Sequence, residues 1–304
     1  MCPKIPATIT PGNCQVPSPG TPEDEGRDEP CSTDSDEKWT IGVQGEFVTT
    51  TVNVTSIGSD DARANREKVL NYESHVMTWQ EHAISDRDRA ATVADFRKKG
   101  WHMIAGPCLP ECSRRTGGVA IAVLRPITAD RIEARTAAFR EARRTGRIDA
   151  YWIEASGIKV MVINIYGWTA ANERGDQAEK TEDLLCSMLE ELDQWNKPMC
   201  IIAGDLNGDL HRFPVLAELV EAGEYIDLGA QADAWGQPPN QPTCQVSHNA
   251  KATRIDYILV SRALLPDVTG FRIDANGCFP THQAVQMKLK SGNIDRQRTA
   301  VGRP

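Results

Sequence analysis

The hydrophobic positions of the chain follow two different periods, one typical of strands and one typical of helices. Residues 47–57 are rich in β-branched side chains, with Val48, Val52 and Val54 on one side, which predicts a strand. Residues 176–195 instead place leucines and a methionine at helical spacing, which predicts an amphipathic helix that ends before Pro198. The chain therefore combines both element types.

The same reading predicts the remaining elements in an interleaved order. Further helices are predicted over residues 61–73, 86–99 and 214–222. Further strands are predicted over residues 75–81, 101–106, 117–124, 148–154, 159–166, 199–203, 254–261, 268–273 and 284–289. Because helices and strands alternate without an internal repeat, the pattern predicts a single α/β domain with either one large sheet or two sheets.

Both ends of the chain lack this periodic pattern. Residues 1–40 contain seven prolines and eight acidic side chains against three basic ones. Such a segment cannot bury enough apolar surface to offset its chain entropy, so residues 1–44 are predicted to be a disordered, acidic, proline-rich leader. Residues 291–304 are also polar and are predicted to be a flexible tail. The folded domain is therefore predicted over residues 45–290.

The charge and the cysteine content restrict the classes of protein that fit. The formal net charge is −8 at pH 7, which argues against a protein that binds polyanions by bulk electrostatics. The leader carries −5 of this charge, so the folded part is close to neutral. No apolar run is long enough for a membrane span or a signal peptide, and the nine cysteines have no disulfide-framework spacing. We therefore expect an intracellular protein of the nucleus or cytoplasm with no membrane partner.

Polar side chains stand inside or directly after several of the predicted apolar strands. They are Asn53, Glu81, Asp205, Asn207 and Asp256. A carboxylate in such a run costs several kcal/mol, about the desolvation penalty of an unpaired ion, unless it is paired, metal-bound or hydrogen-bonded. Each position alone is also explained by a turn or a helix cap. Together they predict a functional site, because such groups collect beyond the strand ends of α/β sheets.

The order of these segments resembles the endonuclease/exonuclease/phosphatase superfamily, which has the DNase I-like fold. The resemblance spans positions 53–282 and rests on the segments Val52-Asn53-Val54, Trp79-Gln80-Glu81, Gly117-Gly118-Val119, Asn164-Ile165-Tyr166, Gly204-Asp205-Leu206-Asn207, Arg254-Ile255-Asp256-Tyr257 and Thr281-His282. It implies a four-layer α/β/β/α sandwich. Together with Pro242-Thr243-Cys244 before the late strand, these motifs most resemble those of the endonuclease domains of non-LTR retrotransposons and of apurinic endonucleases.

The resemblance implies a divalent-metal site. Glu81, helped by Asn53, is implied as the ligand of Mg²⁺, with Mn²⁺ as the alternative ion. Two positions depart from the family pattern, since Thr55 and Thr281 stand where many family nucleases have acidic or other polar residues. A hydroxyl cannot neutralise the charge of a cation, so we expect weaker metal binding with an unchanged reaction. The alternative is a decayed copy with little activity.

The resemblance also implies the hydrolytic residues. Asp205 orients or deprotonates the attacking water, and Asn207 holds this water and the phosphate. Asp256 orients and charges His282, which donates to the phosphate or takes part in proton transfer. Tyr166 contacts the phosphate or the leaving group. The set provides the activated water, charge neutralisation and leaving-group assistance that phosphodiester hydrolysis requires.

A local excess of arginine is the candidate surface for substrate binding. Residues 125–147 contain seven arginines against three acidic side chains, and Arg140, Arg143 and Arg144 are the candidate contacts to a phosphate backbone. The alternative is a solvated helical surface with ordinary intrahelical ion pairs. Trp168 is a candidate to stack on a base at the groove edge, and packing is its alternative role.

The leading hypothesis is Mg²⁺-dependent phosphodiester hydrolysis of nucleic acid, with DNA favoured over RNA, by a monomeric endonuclease of mobile-element origin. The motifs expected of inositol phosphatases are absent, since Gly208-Asp209-Leu210 and Ala252-Thr253-Arg254 stand in their places. Two alternatives remain open at this point. One is a phosphatase or a sphingomyelinase-type phosphodiesterase of the same fold, and the other is a catalytically silent module that binds nucleic acid or protein.

Overall fold

The computed structural model describes residues 45–57, 63–108, 117–155, 157–247, 249–274 and 279–290. The predicted leader, residues 1–44, and the predicted tail, residues 291–304, lie outside the described residues. Within the described ranges the secondary structure follows the alternating pattern of the sequence.

Two six-stranded mixed sheets form the centre of the described structure. The strands in chain order are β1 (Glu46–Asn53), β2 (Val76–Gln80), β3 (Trp101–Ala105), β4 (Val119–Leu124), β5 (Thr128–Arg131), β6 (Ile148–Ala155), β7 (Ile158–Tyr166), β8 (Cys200–Asp205), β9 (Tyr225–Asp227), β10 (Asp256–Ser261), β11 (Val268–Asp274) and β12 (Ala284–Lys290). The first sheet has the order β11-β12-β1-β2-β4-β3, and the second has the order β5-β6-β7-β8-β10-β9. Each sheet contains one parallel pair, β1 with β2 and β7 with β8.

Five α-helices accompany the sheets in the described residues. They are α1 (Arg63–Leu70), α2 (Asp86–Lys98), α3 (Ala137–Arg144), α4 (Gly175–Gln194) and α5 (Pro214–Glu221). The side-chain oxygen of Ser85 accepts from the backbone N–H of Asp88 and caps α2, and Thr136 caps α3 in the same way. Among the helices described, none combines the length and apolar character needed to cross a bilayer.

Three apolar clusters separate the layers. The cluster between the sheets takes side chains from both of them, including Val76, Val162 and Val285. A second cluster packs α3, α4 and α5 on the outer face of the second sheet, and a third packs α1 and α2 on the outer face of the first. Burial of these faces supplies the main driving force for folding. The four-layer α/β/β/α sandwich of the DNase I-like fold is thereby confirmed.

A buried polar cross-link joins the two sheets below the edge at which the parallel strands end. Asn164 of β7 donates from Nδ2 to the carbonyl oxygens of Trp79 and Ala120, each at 2.9 Å. Its Oδ1 accepts from Gln80 Nε2 at 2.6 Å, and all of these contacts are buried. Buried hydrogen bonds of this kind fix one relative placement of two surfaces. It therefore aligns the strand ends that carry Glu81 and Tyr166.

Replacing Asn164 with Ala is expected to lower the free energy of unfolding by about 2–3 kcal/mol, because three buried polar groups each lose a hydrogen bond. Urea denaturation followed by circular dichroism measures this change. Gln177→Ala is the control, since this side chain hydrogen-bonds only at the exposed start of α4. A loss for Asn164→Ala no larger than that of the control would show that the cross-link is energetically neutral.

The structure differs from the sequence predictions mainly in short or flanking segments. The helix predicted over residues 61–73 is described over Arg63–Leu70, and the strand predicted over 254–261 begins at Asp256. The strands β5 and β9 were not predicted. Both are edge strands of four and three residues, so neither carries a local period long enough to detect. Their conformation depends on pairing with β6 and β10.

Candidate functional site

The predicted polar residues meet at one edge of the two sheets. In the first sheet Asn53 pairs with Gln80 at the ends of the parallel strands β1 and β2, so Glu81 follows at the same edge. In the second sheet Tyr166 and Asp256 both pair with Asp205, at the end of β8. The Nδ2 of Asn53 donates to Asp205 Oδ2 at 3.0 Å, which joins the edges of the two sheets. The fold therefore brings these separate motifs into one cluster.

Asp205 lies fully buried at the centre of this cluster. Its Oδ2 accepts from Asn53, and its Oδ1 accepts from the backbone N–H of Asn207 at 2.8 Å. Burial, together with the neighbouring carboxylate of Asp256, raises the pKa of Asp205 to about 7, although His282 and these two donors act in the opposite direction. A carboxylate with a pKa near neutrality is suited to accept a proton.

His282 is held between the two carboxylates of the second sheet. Its Nδ1 lies 3.0 Å from Asp256 Oδ2 and 3.2 Å from Asp256 Oδ1, and its Nε2 lies 3.9 Å from Asp205 Oδ2. Burial by itself lowers the pKa of His282, but the charge and hydrogen bond of Asp256 outweigh it and raise the pKa to about 12. The imidazolium is therefore the stable form, with its Nε2–H directed to the side of Asp205.

Thr243 orients Asp256, a role that the sequence reading did not assign. Its hydroxyl donates to Asp256 Oδ2 at 2.7 Å and accepts from the backbone N–H groups of Ile255 and Asp256 at 3.1 and 3.0 Å. Its carbonyl oxygen accepts from the N–H of Gln283, the residue after His282, at 2.7 Å. One buried threonine thus connects both members of the Asp–His pair. Thr243 belongs to the segment Pro242-Thr243-Cys244, which contributed to the family resemblance but was not assigned a role in the site.

Glu81 stands on a tight turn after β2. It has a φ of 58°, and the next backbone N–H groups, of His82 and Ala83, donate to the carbonyl oxygens of Gly118 and Gly117 at 3.3 and 3.1 Å. The carboxylate is half-buried and has no hydrogen-bond or ion-pair partner within the described part of the chain. A partly desolvated carboxylate without a partner is unfavourable unless a cation joins it.

Asn53 and Glu81 together offer the oxygen donors that Mg²⁺ prefers. Asn53 Oδ1 accepts from the backbone N–H of Thr55 at 3.0 Å, which fixes the amide with its nitrogen toward Asp205. Ser56 N–H donates to the carbonyl oxygen of Glu81 at 2.8 Å and holds the two segments side by side. Mg²⁺ is commonly bound by one or two carboxylates and keeps several waters. The donor set therefore fits a divalent cation.

The two positions that depart from the family pattern add no carboxylate to this set. Thr55 is exposed and has a φ of 46°, and Thr281 is half-buried, with its carbonyl oxygen accepting from Gln245 N–H at 2.9 Å. Of the described residues, His282, Asp205 and Asp256 form the only group of three or more histidine, cysteine or acidic side chains spaced for a metal. In that group His282 Nδ1 already contacts Asp256. Among the acidic residues of the site, Glu81 is therefore the one whose carboxylate has no partner within the described residues.

Tyr166 and Trp168 lie at the end of β7. Tyr166 is buried, and burial together with the carboxylates of Glu81 and Asp205 raises the pKa of its phenol well above the usual value, so the hydroxyl stays a neutral donor. Trp168 is half-buried, and its ring lies 4.7 Å from the guanidinium carbon of Arg147. The packing alternative for Trp168 is therefore observed, and its contact with a base remains a prediction.

The structure places the three candidate arginines of α3 in different environments. Arg143 Nε contacts Oδ1 of the fully buried Asp149 at 2.8 Å, while Arg131 Nε contacts the other oxygen at the same distance. Its guanidinium therefore compensates a buried charge, and its contact with substrate remains a prediction. Arg144 forms the ordinary intrahelical pair with Glu141, and Arg140 donates to carbonyl oxygens before the helix. Both are exposed, and their contact with substrate remains a prediction.

Arg143→Ala is expected to lower the free energy of unfolding by about 3 kcal/mol, because the buried carboxylate of Asp149 loses one of its two cations. Arg144→Ala, its neighbour on the same helix, should change it by less than about 0.5 kcal/mol, as is usual for an exposed ion pair. Chemical denaturation of both variants measures the difference. Equal stabilities would mean that the Asp149 cluster does not need Arg143.

Comparison with known proteins identifies the class to which this fold and site belong. The sequence model of the Endonuclease/Exonuclease/phosphatase family matches residues 56–277, and the chain belongs to this family. The resemblance inferred from the motifs is therefore confirmed. Members of this superfamily are hydrolases that act on phosphoester bonds. No curated protein sequence matches the chain.

Solved structures with the same fold include several enzymes of DNA metabolism. The 3′ phosphatase NExo from Neisseria, bound to a product DNA hairpin, has a TM-score of 0.61 at 17% identity, covering 80% of this chain and 99% of that one. An AP endonuclease from Archaeoglobus fulgidus has a TM-score of 0.59 at 17% identity, covering 79% and 98%. The endonuclease domain of TRAS1, a telomere-specific non-LTR retrotransposon, has a TM-score of 0.53 at 14% identity, covering 82% and 99%.

Proposed function

We propose that this protein is a divalent-metal-dependent phosphodiesterase that cleaves nucleic acid, with DNA as its substrate. The observation that carries the proposal is the buried Asp205 facing Nε2 of an Asp256-paired His282, beside the carboxylate of Glu81, which has no partner among the described residues. A proton acceptor, a cationic donor and a cation ligand thus share one strand edge. These are the groups that attack of water on a phosphodiester requires.

Asp205 acts as the group that orients and deprotonates the attacking water. Its two oxygens are held by Asn53 Nδ2 and the N–H of Asn207, so the carboxylate keeps one orientation. A pKa of about 7 lets it take a proton from water near neutral pH. Asn207 has a φ of 54° and donates from Nδ2 to Gly167 O at 3.1 Å, which fixes the amide that we assign to hold this water and the phosphate.

His282 supplies positive charge and a proton on the second-sheet side of the site. With Asp256 bound to Nδ1, its Nε2–H, which lies 3.8 Å from Cys244 Sγ and 3.9 Å from Asp205 Oδ2, is the donor toward a phosphoryl oxygen. A cation held in a buried position stabilises the charge that grows on the phosphoryl oxygens in the transition state. Tyr166, as a neutral phenol, is a second donor to the phosphate or to the leaving oxygen.

Glu81 and Asn53 are the residues that would hold a divalent ion. Such an ion neutralises charge on the phosphoryl oxygens and on the leaving oxygen. Family members generally use divalent metals, which supports the assignment of the Glu81 carboxylate and the Asn53 amide oxygen as ligands. Because Thr55 and Thr281 add no charge, we expect Mg²⁺ to bind weakly, with Mn²⁺ as an alternative ion.

Glu81→Gln is expected to raise the Mg²⁺ concentration for half-maximal cleavage at least about tenfold, since the amide keeps the shape but loses the charge that attracts the cation. Plasmid nicking at increasing Mg²⁺ measures the shift, and titration calorimetry measures binding without substrate. Glu179→Gln, an exposed position on α4, is the control. An unchanged Mg²⁺ dependence would remove Glu81 from the metal site.

The proposal also includes a DNA substrate and a mobile-element origin. The AP endonuclease and NExo neighbours support a DNA substrate, because the latter structure contains a DNA hairpin. The TRAS1 domain supports a mobile-element origin. Because the folded part of the chain is close to neutral, metal and local donors rather than bulk charge hold the substrate. We propose that the chain acts as a monomer.

The proposal is tested by cleavage assays with supercoiled plasmid, abasic-site duplex, single-stranded RNA and a small phosphomonoester, each with Mg²⁺ or EDTA. We expect nicking of DNA that requires the metal and is lost in His282→Ala. Hydrolysis of the small phosphoester without cleavage of DNA would instead identify a phosphatase of the same fold. Identical behaviour of wild type and His282→Ala in every assay would mean that the chain is a binding module.

A further inference from the structure

Arg147 is a buried cation at the start of β6, next to the candidate active site. Its side chain is 9% exposed, yet within the described part of the chain no carboxylate forms an ion pair with it. Removing a guanidinium from water is costly unless other groups compensate it. Stability alone would favour an apolar residue of similar volume. The contacts that compensate the charge therefore indicate what Arg147 does.

Those contacts lie on the segment that carries Tyr166 and Trp168. The Nη1 of Arg147 donates to the carbonyl oxygen of Gly167 at 2.8 Å and to that of Tyr166 at 3.4 Å. Its guanidinium carbon lies 4.7 Å from the ring centroids of both Tyr166 and Trp168. Cation–π contact with two rings and two carbonyl acceptors replaces a carboxylate partner. The cation thus fixes the ring of Tyr166 as well as its main chain.

The carbonyl of Gly167 connects Arg147 to the water-binding side of the site. It accepts from Arg147 Nη1 at 2.8 Å and from Asn207 Nδ2 at 3.1 Å, while the N–H of Gly167 donates to the carbonyl oxygen of Asp205 at 2.7 Å. A Cβ at position 167 would collide with the carbonyl of Leu206, so this peptide has one available placement. A single oxygen therefore sets Arg147 and Asn207 relative to each other.

The main chain next to Arg147 also meets the turn that carries Glu81. The carbonyl oxygen of Gly146 accepts from Gly118 N–H at 3.1 Å, and the carbonyl oxygen of Gly118 accepts from His82 N–H at 3.3 Å. On the other side the carbonyl oxygen of Arg147 accepts from Tyr166 N–H at 2.7 Å. The segment of Arg147 therefore lies between the loops that bear the metal-side and the water-side residues.

We propose that Arg147 is the positioning residue that sets the ring of Tyr166 and the amide of Asn207 in the phosphodiesterase site. It acts through these two residues, since Nη1 donates to both carbonyls while the planar guanidinium lies over two rings. A lysine cannot reproduce this arrangement, because its ammonium has no planar group to stack on the rings. The inference deepens the proposed function and rests on it for the catalytic consequence, whereas the positioning itself is a structural claim.

The test compares Arg147→Met, Arg147→Lys and the control Arg135→Met. Arg135 is matched in chemistry, since its guanidinium stacks on Trp195 and donates to the carbonyl of Gln194, both away from the site. For each folded variant the side-chain amide signals of Asn207 and the ring signals of Tyr166 are recorded by NMR. Steady-state cleavage of plasmid DNA then gives kcat and KM, and thermal melting verifies folding.

We expect the Asn207 and Tyr166 signals to shift in both Arg147 variants and to stay in place in Arg135→Met. Misplacing a catalytic group by about 1 Å costs roughly 10²-fold, so kcat should fall by about that factor in Arg147→Met while KM changes by less than about threefold. Arg147→Lys keeps the charge and should therefore retain part of the wild-type kcat. It replaces Arg147→Met in the test if the methionine variant does not fold.

Unshifted Asn207 and Tyr166 signals in a folded Arg147 variant would overturn the inference, whatever the activity. A wild-type protein that cleaves no phosphodiester in any metal would instead overturn the proposed function, and the NMR comparison would still decide the positioning claim. Loss of kcat with unshifted signals would also count against positioning, since it would assign Arg147 a direct electrostatic role.

Discussion

Asp205→Asn is expected to lower kcat for DNA cleavage by about 10³-fold, within the range that general acid–base catalysis contributes. The amide keeps the size of the carboxylate and one acceptor oxygen, but it cannot take a proton from water. The carboxylate is fully buried, so its removal also removes a desolvation cost. We therefore expect the melting temperature to stay the same or rise, and steady-state kinetics with thermal melting measure both effects.

Asp209→Asn is the matched control for this variant. Asp209 belongs to the same Gly-Asp-Leu-Asn-Gly-Asp segment, is half-buried, and forms its backbone hydrogen bond with Asn172, away from Asp205. Its kcat should remain within about threefold of wild type. An Asp205→Asn protein that cleaves at the wild-type rate, or a control that loses equal activity, would contradict the role assigned to Asp205.

The second large effect is expected from the Asp256–His282 pair. His282→Ala should lower kcat by about 10³-fold and Asp256→Asn by about 10²-fold, because the first removes the donor and the second removes the group that charges and orients it. Since Asp256 contacts His282 Nδ1 at 3.0 Å, the two residues act as a unit. The double variant should therefore lose no more activity than His282→Ala alone.

A double-mutant cycle under single-turnover conditions measures this coupling. Both single variants and the double variant are assayed at one Mg²⁺ concentration, so that metal binding does not differ between them. Multiplicative losses, with the double variant about 10²-fold below His282→Ala, would show that Asp256 acts independently of the histidine. In that case Asp256 would have a separate contact with water or phosphate.

Most of the fold could be read from local patterns. The strands near Val52 and Asn164 and the helix around Leu185 carry periods of two and of 3.6 over enough residues to be recognised. The two edge strands β5 and β9 could not be read, because four and three residues define no period. The division of the strands into two sheets was also not local information. It came from the family resemblance and was confirmed by the structure.

The candidate site was predictable as a set, while the partners of its members were not. Asp205, Asp256 and Glu81 stood out because carboxylates interrupt or end apolar runs. Nothing in the order of residues showed that Thr243 would contact Asp256, since this contact depends on how the loop before β10 returns to the sheet. The charge count also did not show that Arg143 pairs with Asp149, because this partner lies within β6.

The sequence by itself determined which residue types stand at the strand ends, and hence the class of chemistry. Tertiary structure decided which of them meet, because pairing between β1, β2, β7, β8 and β10 brings distant positions to one edge. It also divided the arginines into two that neutralise Asp149, one buried beside Tyr166, and others that remain on the surface. The physical reason is that net charge adds along a chain, whereas the energy of each charge depends on its burial and its partners.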